Sequence, residues 1–180
     1  MIKKRALAYL KVSSKSLETE KIIDECLEEV KKIARPKIII QSFKLEKHEK
    51  ITIVNTNIEL TERPYSKLLD GFNNCLLLAV TLGFEIDQRI KFYQQTNISK
   101  AVVFDAVSSA YVEEVADKEE EQLNIIQRTR RFCPGYQRTS LGLNKDIIKV
   151  LQADKKIGLT LGKDSLMTPL KSMVGIIGYN

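Results

Sequence analysis

Apolar positions recur at helical spacing over residues 16–34, where Ile22, Ile23, Cys26, Leu27, Val30 and Ile33 share one face while Asp24, Glu25, Glu28 and Glu29 alternate away from it. Pro36 ends this amphipathic helix. The pattern then shortens. KIIIQSFKLEK from Lys37 and ITIVN from Ile51 are rich in β-branched residues and predict two strands, with the polar EKHEK between them as a turn.

Residues 57–60 continue as a short strand, and 64–70 make a brief helix ended by Gly71. CLLLAVTLG, residues 75–83, is apolar on both alternations, which predicts a strand buried on both faces at the centre of a sheet. A helix over 84–95 is followed by a longer one over 98–126, with Asn97 as its N-cap. This helix is apolar almost all round through Val112, so its first half is expected to be buried; its second half, EEVADKEEEQ, reads as a solvated acidic face. Residues 144–152 predict a short helix, and 157–161 and 171–179 strands, with a turn at 161–164. No internal repeat occurs. The pattern is that of an α+β fold, a twisted and mainly antiparallel sheet packed with a long central helix and shorter helices, in one domain over 1–180.

Composition narrows the class. A hydrophobic fraction of 43%, a charged fraction of 29% and only four prolines and eight glycines describe a folded globular chain. No apolar run approaches the roughly 18 residues that span a bilayer, and the start carries no cleavable leader pattern, so a cytoplasmic location is expected. Cys26, Cys75 and Cys133 are an odd number at wide spacing, which suits reduced thiols. A net charge of +6 favours an acidic partner or an anionic ligand.

Much chemistry is excluded. His48 is the only histidine and lies in a charged turn, so neither a histidine-based triad nor a multi-histidine metal site is available. GLTLGKD, residues 158–164, fails as a phosphate loop in spacing and in context, and no strand is followed by a dinucleotide-type glycine pattern.

The segment RRFCPGYQR, residues 130–138, stands out instead. No acid occurs between Glu121 and Asp146, whereas Arg128, Arg130, Arg131 and Arg138 fall within eleven residues. Guanidinium forks bind carboxylate or phosphate through paired hydrogen bonds. Pro134 and Gly135 fit the central positions of a type II turn, which would present the main chain of Cys133 and Gly135 to a planar ligand beside the ring of Tyr136. Residue types alone equally allow a surface turn whose arginines pair with the acidic run Glu119, Glu120 and Glu121.

RFCPGY, then a short helix, then KKIGLTL and SLMTPLKSMVGIIGY, resemble in wording and in order the activation domain of cobalamin-dependent methionine synthase. The likeness is specific over the last fifty or so residues, moderate along 98–127 and weak before that. That family binds S-adenosylmethionine through an arginine-x-x-x-glycine-tyrosine signature. The resemblance implies that Arg131 forks onto the methionine carboxylate, that the main chain at Cys133 and Gly135 meets the adenine end, and that Tyr136 completes the signature. It assigns the ligand's amino group to Glu113, which shares a helix face with Val102, Ala106 and Ser109, an unusual place for an acid that meets no cation or donor. Asp105 is the alternative acid, expected to be buried and structural. An aspartate near the start of the family's domain and a tyrosine beyond its final strand have no counterpart here.

The implied function is that of a separate reactivation subunit. S-adenosylmethionine would be brought to oxidised cobalamin carried by methionine synthase modules, while a flavodoxin-like protein supplies the electron, and the basic face would steer these acidic partners. Two other classes stay open on the residues: a nucleic-acid-binding module using the four arginines, and a scaffold that binds no ligand.

Overall fold

The computed structural model describes residues 1–11 and 17–180, so the expected helix start at Ser16 lies outside the described residues. Seven α-helices and seven strands are present among them: α1 (Ile2–Leu10), α2 (Leu17–Ile33), β1 (Lys37–Lys47), β2 (Ile51–Ile53), β3 (Glu59–Leu60), α3 (Arg63–Leu68), β4 (Asn74–Thr81), α4 (Phe84–Thr96), α5 (Ile98–Gln122), α6 (Leu143–Leu151), α7 (Ala153–Ile157), β5 (Thr160–Leu161), β6 (Met167–Thr168) and β7 (Ser172–Tyr179). The α+β class holds, with a five-stranded sheet in the order β3-β2-β1-β4-β7 whose ladders are all antiparallel, and a small β5-β6 pair beside it.

β4 explains the arrangement. Leu76, Leu78 and Val80 point into a core shared with α1, α2, α4 and α5, while Cys75, Leu77 and Ala79 point into a second core shared with α3, α6 and α7. Leu77 and Leu78 are fully buried on opposite faces, each contributing roughly 1.5–3 kcal/mol, so this one strand anchors both layers. The apolar run at 75–83 predicted this burial but placed the strand at the centre. It lies between β1 and β7, and β1 takes the middle position because the short β2 and β3 extend the sheet on its other side.

Three local outcomes bear on function. The Asn97 side chain caps α5 by accepting from Lys100 N–H at 3.0 Å, as its residue type predicts. The first residues, to which periodicity assigns no element, form α1 against α5, burying Ala6. The acidic half of α5 is only partly solvated: Lys118, Glu121 and Gln122 are exposed, but Glu120 is 5% exposed. Glu113, Asp117 and Glu120 follow an i, i+4, i+7 stripe, and α1 and the 128–132 segment cover it with arginines. That segment runs along the outer edge of β7 through bridges from Arg128 to Tyr179 and from Phe132 to Ile176.

Candidate functional site

The turn at 133–136 forms as residue chemistry requires. Gly135 lies at φ +94°, ψ −22°, and Tyr136 N–H donates to the Cys133 carbonyl at 3.2 Å. The Gly135 N–H donates to Thr139 Oγ1 at 3.0 Å, and the same hydroxyl donates to the Tyr136 carbonyl at 2.9 Å, so the loop braces itself. A methyl group on Gly135 would stand 2.7 Å from Leu141 Cδ2, which packs against the turn.

This turn forms one wall of a cleft of about 460 Å³. The middle of α5 supplies the opposite wall through Ser109, Val112 and Glu113, while Met167 and residues 170–174 make the base. Glu113, Cys133, Gly135 and Tyr136 are thus brought together from positions far apart in the chain. The Tyr136 ring is 56% exposed at the rim and packs edge-on to Phe132 at 6.4 Å between centroids.

Arg131 is placed elsewhere. Its guanidinium lies further along the same acidic stripe of α5, pairing with Asp117 at 2.9 Å and with Glu120, which Arg128 also binds at 2.9 Å. Burial pulls the Arg131 pKa down, but Glu120 and Asp117 outweigh it and the net direction is upward. Its stem crosses β7 at Gly175, where a Cβ would lie 2.7 Å from Arg131 Cγ. The pairing of arginines with the acidic run is therefore realised by Arg128 and Arg131 on Glu120, while Arg130 and Arg138 remain exposed.

Glu113 does meet a cation and a donor. The Tyr9 hydroxyl of α1 donates to Oε1, and Arg5 Nε lies 3.2 Å from Oε2. Asp105, expected to be buried, has a side chain 51% exposed and pairs with Lys171 at 2.8 Å, lining a neighbouring pocket between α1, α4 and α5.

Three cleft residues escaped the sequence reading. Tyr9 lies in the element that periodicity did not reveal. Lys171 Nζ, which also donates to Ser109 Oγ at 2.9 Å, is a cation of the cleft wall. Asn144, in the first turn of α6, lines the cleft while only 4% exposed. A polar residue at a buried position of an apolar-faced helix was the available signal. Burial raises the pKa of Tyr136, with Cys133 and Glu113 adding to the effect, and pushes the Cys133 thiol up to about 11. Burial and Glu113 likewise raise the Tyr9 phenol. At neutral pH the cleft is therefore lined by neutral phenols and a neutral thiol.

No family model matches the sequence, and no curated protein matches it. Among solved structures, the crystal structure of the MetH reactivation domain bound to AdoHcy superimposes with a TM-score of 0.72 over 96% of this chain and 72% of that one, at 14% identity. The chain has the fold of the MetH reactivation domain. The correspondence spans both helical layers, including the N-terminal region where the sequence likeness is weak. Among the described residues, no helix is long and apolar enough to cross a membrane.

Proposed function

We propose that this protein binds S-adenosylmethionine in the cleft between α5 and the 133–136 turn, and acts as a one-domain reactivation subunit for methionine synthase modules that carry cobalamin. The observation that carries this reading is that Glu113, Cys133, Gly135 and Tyr136 line one cleft, on a fold that in its structural neighbour holds AdoHcy. About 460 Å³ suits a ligand of nucleoside size.

The residues fit the ligand's groups. Glu113, oriented by Tyr9 and Arg5, offers a carboxylate for the amino group; Lys171 offers a cation for the ligand carboxylate; the turn and the Tyr136 ring offer a planar shelf for the base. Arg131 supports the shelf from behind, fixing the loop to α5 through Asp117 and Glu120; a direct fork onto the ligand would require it to leave both. The protein's share of the work is to bind and orient the methyl donor. The partner's cobalamin would supply the methyl acceptor, and a flavodoxin-like protein the electron. The basic face favours such acidic partners in the cytoplasm, with association that weakens as salt rises.

The nucleic-acid reading gains nothing from this geometry, because Arg128 and Arg131 are committed to carboxylates and only Arg130 and Arg138 stand free of them at the surface.

Calorimetric titration with S-adenosylmethionine tests the proposal. Saturable binding is expected, weakened about tenfold or more in Tyr136→Ala and in Glu113→Gln. Absence of saturable heat from the parent protein would overturn it.

A further inference from the structure

Among the described residues, the cleft lining includes a buried side-chain oxygen with no partner. Asn144 is 4% exposed, and its Oδ1 is buried without a hydrogen bond, although the residue lines the cleft wall. A buried carbonyl left unpaired costs about 1–3 kcal/mol, so such an atom in a native fold points to a missing donor. Its location is defined by a short chain of contacts. Leu141 packs on Gly135, and Asn144 N–H donates to the Leu141 carbonyl at 3.0 Å, which puts Asn144 beside the Gly135 turn.

We infer that Asn144 is a specificity residue of the cleft, its amide oxygen accepting a hydrogen bond from the exocyclic 6-amino group of an adenine base laid on the 133–136 turn. This rests on the S-adenosyl reading above and adds to it a group that selects the base. An amino group at the 6 position donates and satisfies Oδ1. A 6-oxo purine presents an acceptor there, which Asn144 can meet only by turning its amide over. Gly135 N–H is held by Thr139 and, as a donor, does not read a 6-amino group. Among the side chains that line the cleft, Asn144 is a buried one that offers an acceptor.

The test uses the intact chain with two probes, S-adenosylhomocysteine and its deaminated counterpart S-inosylhomocysteine, titrated calorimetrically into the parent, Asn144→Leu and Asn144→Ser. Leucine matches the size of asparagine and removes the unpaired oxygen, so thermal stability is retained or raised; serine gives a second, smaller replacement. The parent is expected to prefer the adenosyl probe by at least about tenfold, and both variants to lose that preference mainly by weaker adenosyl binding. Variants that keep the preference overturn the assignment of Asn144 while the S-adenosyl reading stands. A parent that binds both probes equally, or prefers the inosyl one, overturns it as well. Failure of the parent to bind either probe removes the S-adenosyl reading and this inference together.

Discussion

The basic segment 128–138 divides into two halves with opposite fates. Its first half is saturated: Arg128 and Arg131 bind Glu120 and Asp117 beneath the edge of β7, and their charge is spent on holding the segment to α5. Its second half is left open, with the Tyr136 ring half exposed and Asn144 Oδ1 unpaired behind it. The first half shows how the loop is held, and the second is where we propose that a ligand is recognised. Charge density, the feature most visible in the sequence, marks the supporting half; the recognising half is nearly uncharged.

That contrast can be broken most forcefully at Arg131. Arg131→Ala strands Glu120 with Arg128 alone and is expected to cost about 3 kcal/mol, the low end for a broken buried pair, read as a lower denaturation midpoint in urea. Arg131→Met combined with Glu120→Leu should recover part of that loss, since Asp117 keeps Arg5 and only the partly exposed Arg128 is left without its carboxylate. A single variant that loses ligand affinity with unchanged stability would instead make Arg131 a direct ligand.

Cys133 sits where the halves meet. With its pKa pushed up to about 11, thiolate is scarce at neutral pH, and alkylation by iodoacetamide at pH 8 should run about a hundredfold slower than for a free thiol of pKa 9, as followed by peptide mass spectrometry. The folded pKa lies above the unfolded one, so this group's stabilisation is complete below about pH 9 and is lost as pH rises towards 11. Labelling at the free-thiol rate would show that the cleft wall is open to water.

Gly135→Ala probes the turn itself. Its positive φ and the approach of Leu141 predict a loss of about 1–2 kcal/mol, shown by the melting temperature, together with weaker ligand binding because Leu141 must move towards Asn144. The smallest effect on stability is expected at Tyr136→Ala, under about 0.5 kcal/mol for an exposed ring, although ligand affinity should fall markedly. A large stability loss there would place Tyr136 with the supporting half.

The fold was legible where periodicity is local. The strand at Lys37–Lys47, the double-sided burial of β4, the Asn97 cap and the turn at Pro134–Gly135 all follow from a few neighbouring residues whose spacing or backbone preference admits one conformation. Four of the five expected site residues share the cleft because the signature around Gly135 and the α5 face carrying Glu113 are local patterns too. The partners of charged groups were not legible. Tyr9 reaches Glu113 across 104 positions, and Arg131 chooses two carboxylates of α5 over the cleft. A charge takes whichever counter-charge the packed chain brings within a few ångströms, so the choice depends on where α1 and the β7 edge finally lie. The same reasoning holds for Asn144, whose unpaired oxygen exists only because α6 docks its first turn behind Gly135. Local spacing was enough to set the elements and the turn, while docking of distant elements settled which polar groups are satisfied and which are left unpaired.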